Sequence, residues 1–302
     1  MVKSRWVKLK PKEFKVGERK WVNLDEWPTR MKPSYDSKQQ YEIILAEHVD
    51  ELSDLQSLLY ASNRNALLLI FQGMDSAGKD GTIKHVMSGV NPQGCRVSSF
   101  KHPTASEIKH DFLWRTTREL PERGQIGIFN RSYYEEVLIA RVHPEILAGE
   151  GLKSDVESSM NNHEVWKTRY RSILDLENHL HRNGTQTIKF FLHLSPDEQR
   201  KRFLERIDDP KKNWKLSNSD LSERALWKDY QRAYEKALSA TSTSVSPWYV
   251  VPADDKRQAH LITSRIIIEA LKQLKMTYPS TGPQRLKELK SIRKELVENI
   301  KI

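Results

Sequence analysis

Short apolar runs alternate with longer amphipathic stretches through the middle of the chain. Ala66–Phe71, Arg96–Phe100, Ile126–Phe129, Thr187–Leu194 and Trp248–Val251 have the length and composition of five β-strands. Helical spacing recurs between them, near Gly81–Ser88, Ala105–Arg118, Tyr133–Arg141, Asn161–Arg182 and Ser222–Ala240. A lead-in helix is expected over Ser37–Tyr60, where Ile43, Leu45, Val49, Leu52, Leu55, Leu58 and Leu59 return at roughly helical intervals. Alternation of this kind predicts an α/β fold: a five-stranded parallel sheet with helices on both faces. Ligands of such sheets bind beyond the carboxyl ends of the strands, so the chemistry is expected just after Phe71, Phe100, Phe129 and Leu194.

The ends read differently from the middle. Residues 1–36 form a basic segment, with ten Lys or Arg before Pro33 and few aliphatic residues. It is expected to lie as an arm over the domain of residues 37–280, with Trp6, Trp21 and Trp27 as its packing residues. Thr281-Gly282-Pro283 then breaks the chain, and residues 281–302 predict a charged helix with one stripe of Leu286, Leu289, Ile292, Leu296 and Ile300. Packing on its own domain and pairing with another subunit both fit that stripe.

Directly after the first strand stands Gly73-Met74-Asp75-Ser76-Ala77-Gly78-Lys79-Asp80-Gly81. The spacing from Gly73 to Gly78-Lys79 is that of a phosphate-binding loop, whose glycines let successive backbone N–H groups curl around an anion at a helix N-terminus. Lys79 would meet the terminal phosphates as a point charge. The Ser or Thr that usually follows the lysine and holds Mg²⁺ is replaced by Asp80, so Asp75 becomes the candidate metal ligand, a hard oxygen for a hard cation. After the third strand Asn130 occupies the place where many such enzymes carry a carboxylate, and a water-mediated role is expected of it. Arg131 is suited to bidentate phosphate binding. Glu135 and Glu136, opening the next helix, could face either an acceptor or solvent, and Lys101 and His102 after the second strand are candidates for acceptor contacts.

After the fourth strand, Ser195-Pro196-Asp197-Glu198 reads as a capped helix start. The helix carries Arg200, Lys201, Arg202 and Arg206 and breaks at Asp208-Asp209-Pro210, followed by Lys211, Lys212 and Lys215. A basic helix and loop over about 200–220 is what a lid needs: charge to neutralise a transferring phosphoryl group, and mobility to exclude water.

Charge changes the picture only in sign. Lys and Arg number 50 against 40 Asp and Glu, a formal charge of +10 over 302 residues, which favours an anionic partner. Neither an aromatic-basic repeat nor zinc spacing points to nucleic acid. A single cysteine, Cys95, rules out an intramolecular disulfide framework and fits a reducing cytoplasm. No apolar run approaches membrane-spanning length, so a soluble, cytoplasmic, unsecreted protein is expected.

Taken together, these segments resemble the family-2 polyphosphate kinases. The resemblance runs in order through Gly73–Gly81, Asn91-Pro92-Gln93-Gly94, Ser99-Phe100-Lys101, Phe129-Asn130-Arg131-Ser132 with Tyr134-Glu135, Lys189–His193, Asp208-Asp209-Pro210 with Trp214-Lys215, and Pro247–Asp254. It implies a three-layer, thymidylate-kinase-like P-loop kinase fold, Mg²⁺ (or Mn²⁺) dependence with Asp75 as ligand, and reversible phosphoryl transfer between inorganic polyphosphate and nucleoside mono- and diphosphates. Asn130 and Glu135 look like the branch that also phosphorylates AMP. Asp75, Lys79 and Arg131 are then the expected catalytic residues. Gly73, Ser76, Ala77, Gly78, Asp80, Gly81, Arg200, Arg206, Lys212 and Lys215 are expected on the phosphates, and Lys101, His102, Asn130, Tyr134 and Glu135 around the nucleotide. A homo-oligomer, dimer or tetramer, is implied as well. The rival reading is an ordinary P-loop nucleotide kinase with ATP as donor.

Overall fold

The computed structural model describes residues 9–149 and 163–298. Its centre is the run Ala66–Gln72 (β1), buried at every position because a central parallel strand is covered on both faces. Alternate side chains of β1 feed two different cores. Leu68 and Ile70 join Phe129, Phe191, Trp248 and Val250 on one face of the sheet, whereas Leu67, Leu69 and Phe71 join Ile128, Phe190, Leu192 and Val251 on the other, as the two-residue period of a strand requires.

Before β1 comes Lys38–Ser62 (α1), capped by Ser37, whose side chain accepts from Gln40 N, and ended by Asn63 at φ 48°. Lys79–Val86 (α2), Cys95–Ser99 (β2), the single turn Trp114–Thr117 (α3) and Ile126–Asn130 (β3) follow. Next are Glu135–Val142 (α4), Pro144–Gly149 (α5), His163–Arg182 (α6), Thr185–His193 (β4) and Pro196–Asp208 (α7). Asn218–Ala225 (α8), Trp227–Thr241 (α9), Trp248–Pro252 (β5), Lys256–Gln273 (α10) and Pro283–Glu298 (α11) complete the order. All strand pairs are parallel, in the spatial order β2-β3-β1-β4-β5. With α1, α2 and α10 on one face and α4, α6 and α9 on the other, this is the expected three-layer α/β fold. Strand order changes direction around β1, so the crevice between β1 and β3 at their carboxyl ends is the place for a ligand.

Three expectations need correction, and one open choice is narrowed. Ala105–Arg118 is not one helix: Asp111 accepts from Leu113 N, and a 3₁₀ turn at Glu107–Lys109 and α3 stand in its place. Ser222–Ala240 is two helices that part at Leu226. Residues 9–36 pack mainly through Phe14, Val16, Val22 and Leu24 rather than through tryptophans. Trp27 is partly buried, Trp21 is 69 % exposed, and Trp6 lies outside the described residues. Val16 N donates to Trp248 O and Lys15 bridges Tyr249 in antiparallel sense, which covers the edge of β5. Finally, α11 has no buried side chain, and Leu286, Leu289, Ile292 and Leu296 all face outward, so packing on its own domain is not what the stripe does. No helix among the described residues is long and apolar enough to cross a membrane.

Candidate active site

The chain leaves β1 through a loop that only glycine permits at two places. Gly73 lies at φ +154°, and a Cβ there would stand 2.9 Å from Leu192 O; Gly78 lies at φ +100°, just before α2. Two non-glycine residues of the site, Ser76 (φ 62°) and Arg131 (φ 65°), also adopt left-handed backbone, a strained conformation that persists where the surroundings over-determine it. The constraints are visible. Arg131 N donates to Phe71 O at 3.0 Å, and the Ser132 hydroxyl accepts from Gln72 Nε2 (3.3 Å) and Tyr134 N (3.1 Å). The ends of β1 and β3 are thereby tied together beneath the site.

Lys79, the first residue of α2, folds its ammonium back onto the loop and donates to Gly73 O at 2.6 Å. Burial, then the neighbouring Arg131 charge, push its pKa down; Asp75, Glu135 and Asp80 pull the other way. The Arg131 guanidinium lies 3.5 Å from Asp75 Oδ1 and 3.6 Å from Glu135 Oε2. Glu135 is buried, and burial raises its carboxyl above the usual range against the pull of Arg131 and Lys79. Asp75, Lys79, Arg131 and Glu135 therefore converge on one spot.

The two departures from the usual loop pattern are partners. Asn130, where a carboxylate is customary, donates its amide to Asp80 Oδ1 at 2.7 Å, and Asp80 is the residue that stands in for the customary Ser or Thr. Asp80 and Gly81 lie in the first turn of α2, past the loop itself.

The basic helix α7 divides by face. Arg206 reaches the loop, donating to Ser76 Oγ at 2.8 Å. Arg200 does not: it is exposed and pairs with Asp197. Lys212 is likewise exposed and pairs with Asp209, and the Lys215 side chain lies outside the described residues. Arg202, read from sequence as one more lid cation, is buried and donates to the carbonyls of Ser76, Ala77, Ala253 and Asp254. It braces the loop from behind rather than facing the cavity. A second misplacement is Tyr134. Its ring is fully buried and its hydroxyl donates to Glu177 while accepting from Lys189, so it belongs to the core and not to a nucleotide pocket.

Two cavities open over the loop. One of about 610 Å³ is lined by Gly73, Asp75, Arg131 and Glu135 on the loop side and by Arg224, Tyr230 and Tyr234 opposite. The other, about 220 Å³, shares His102, Arg131, Glu135 and Ile139 and adds Lys101 with Ile108 and Phe112, which together with Ile139 make an apolar wall. Sequence reasoning missed the link across the first cavity: Arg224 donates to Gln199 Oε1 (2.6 Å), and Gln199 donates to Asp75 O (3.0 Å). A neutral glutamine inside a basic helix carries no motif that would mark it.

A phosphate-binding loop at the switch point of a parallel sheet, with two carboxylates and two cations gathered at its mouth, defines a P-loop phosphotransferase. The profile of the polyphosphate kinase 2 (PPK2) family matches residues 35–279. The ADP-polyphosphate phosphotransferase of Rhodopseudomonas palustris is 61% identical over 292 residues, 97% of this chain and 100% of that protein. The AMP/ADP-polyphosphate phosphotransferase of Meiothermus ruber is 45% identical over 228 residues, 76% of this chain and 80% of that one. The crystal structure of polyphosphate kinase 2 from Arthrobacter aurescens TC1 superimposes with a TM-score of 0.84 at 37% identity, covering 96% of this chain and 98% of that one. The chain belongs to the polyphosphate kinase 2 family.

Proposed function

We propose that this protein transfers the terminal phosphoryl group of inorganic polyphosphate to AMP and to ADP, reversibly, in the cytoplasm. The observation that carries the reading is the shared wall. Arg131 and Glu135 line both cavities, so a donor phosphate over the Gly73–Lys79 loop and an acceptor phosphate entering past Lys101 and His102 would meet at Arg131. Relatives named for ADP and for both AMP and ADP support the substrates.

Lys79 and Arg131 would neutralise the equatorial oxygens of the transferring group, and Arg206 would hold the Ser76 side of the loop. A nucleotide phosphate is ionised near neutrality, so positioning and electrostatics suffice without a strong base. The smaller cavity's apolar wall of Ile108, Phe112 and Ile139 suits a base and sugar.

Mg²⁺ fits the donor set: no cluster of three His, Cys, Asp or Glu exists among the described residues, but Mg²⁺ is commonly held by one or two carboxylates with water and substrate phosphates. Asp75, half-exposed at the loop mouth, would hold it, and the ion would supply further neutralisation of the phosphate charge. The outward stripe of α11 supports a homo-oligomer, dimer or tetramer.

Purified protein incubated with Mg²⁺, polyphosphate and either AMP or ADP, with nucleotides then separated, tests the reading. ADP and ATP from AMP are expected. ATP from ADP alone would reject the AMP step, and no product from either would reject polyphosphate as donor.

A further inference from the structure

A third cavity, about 760 Å³, lies on the outer side of the helical layer, away from the loop. Among the described residues its lining includes six cations, Arg19, Lys20, Arg141, Lys167, Arg171 and Lys236, and no carboxylate. Trp21, Trp166 and Tyr170 supply its aromatic surface. Glu18, in the same turn as Arg19, accepts instead from Ser244 N. Lys167 pairs with Glu164 and Arg171 with Asp175 only across exposed helical turns, contacts that are weak and readily exchanged for a ligand.

The floor of the cavity is built rather than incidental. The Arg141 guanidinium lies 4.2 Å from the centre of the Trp166 ring, which fixes the cation in place. Arg141 Nε and the hydroxyl of Tyr170, a residue 9% exposed, are both buried; the two side chains interact with each other, but neither atom has a hydrogen bond of ordinary geometry among the described residues. Leaving such groups with only a poorly formed mutual contact is costly, and an anion's oxygens would complete both. Burial, then the charges of Arg141 and Arg232, push the Lys236 ammonium down, as desolvation and crowded like charges require.

We propose that this cavity is a second site for condensed phosphate, an exosite that holds a distal stretch of a long polyphosphate donor while the chain end reacts at the Asp75 loop. The inference rests on the function proposed above. Two helices connect the sites. Along α4, Glu135 faces the loop cavities and Arg141 the exosite; along α9, Tyr230 and Tyr234 face the first and Lys236 and Ser239 the second. Two to nine residues of helix separate these positions, roughly 3–13 Å of axis. Trp166 is already covered by Arg141, leaving less aromatic surface for stacked bases than cationic surface for phosphate, which favours a chain of phosphates over a nucleic acid. Tethering at a second site raises the local concentration of the reacting end, so the exosite acts on the apparent affinity for long chains.

The test compares a short oligophosphate, unable to occupy both cavities at once, with long-chain polyphosphate as donors to ADP. In the triple variant Lys20→Glu, Lys167→Glu, Lys236→Glu, the KM for long chains should rise about tenfold, with KM for the short donor and kcat for both unchanged. A control variant, Lys10→Glu, Lys12→Glu, Lys32→Glu, makes the same change in net charge elsewhere and should leave both KM values alone. Equal effects on both donors, equal effects of both variants, or no effect would overturn the exosite. So would single-stranded RNA displacing long-chain polyphosphate at lower phosphate concentration, which would assign the cavity to nucleic acid. If unaltered protein used neither donor, the proposed function itself would fall, and the exosite with it.

Discussion

Two ion-paired clusters within a few residues of each other are built to opposite designs. Around Lys189 everything is closed. Its ammonium, fully buried, donates to Glu177 Oε2 (2.6 Å), Tyr134 Oη (3.0 Å) and Thr241 O (2.7 Å), three acceptors for three protons, while Glu177 also accepts from Tyr133 and Tyr134. Around Arg131 everything is open. Its contacts to Asp75 and Glu135 are 3.5 and 3.6 Å long, its side chain is 36% exposed, and its backbone is left-handed. The closed cluster pins Tyr133 and Tyr134 in the core, and the chain just before them is thereby held in the strained form that aims Arg131 at the cavity. Charges satisfied by protein fix the frame; charges left loosely paired are available to substrate.

The comparison breaks most sharply at Lys79. Lys79→Ala should lower the rate of ATP formation by about 10³-fold, because its ammonium, held on the loop at Gly73 O, would be lost to the donor phosphates, and should leave the melting temperature nearly unchanged. A variant that melted early while keeping its rate would mean that the loop cluster, too, is structural.

Glu177→Gln should show the reverse. The variant keeps a carbonyl to accept from the tyrosines but strands a buried cation, costing about 3 kcal/mol of stability, or roughly 6–12 °C in melting temperature. The rate per folded molecule should hold at temperatures where the protein remains folded. Loss of rate without loss of stability would move Glu177 into the chemistry.

The same contrast explains how much was legible in the sequence. The five strands and the glycine-lysine loop could be read because each is a local pattern: an apolar run, or a fixed spacing dictated by backbone curvature around an anion. Asp75, Lys79 and Arg131 were found the same way, and the structure brings them together. Tyr134 and Arg202 were misplaced because residue type does not reveal direction. A tyrosine beside Glu135 points inward to Lys189, and an arginine on a basic helix points inward to four backbone carbonyls. Gln199 and Arg224, which span the cavity to Asp75 O, depend on a contact between segments far apart in sequence. The break at Asp111 turned on a single side chain taking a backbone N–H from a would-be helix.

His143 lies between the two designs. Its Nε2 is 3.0 Å from Glu223 Oε2 on α8 and its Nδ1 is 3.1 Å from Glu145 Oε1 on α5, with Tyr230 of α9 donating to the same Glu223 oxygen. Burial alone would lower its pKa, but the hydrogen bonds and charges of Glu223 and Glu145 outweigh it, and the net shift is upward. A raised value in the folded state means that the protonated form is favoured there. The resulting stability is fully present below the unfolded-state value of about 6.5 and is lost as pH rises through the higher folded-state value. Because Glu145 is 72% exposed, the contribution should stay below about 1 kcal/mol. His143→Asn should therefore melt earlier than the unaltered protein at pH 6, by no more than roughly 2–4 °C, with the gap closing at alkaline pH. A gap that stayed constant or widened toward alkaline pH would show that His143 works through packing, and that the wall carrying Glu223 belongs with the closed cluster around Lys189.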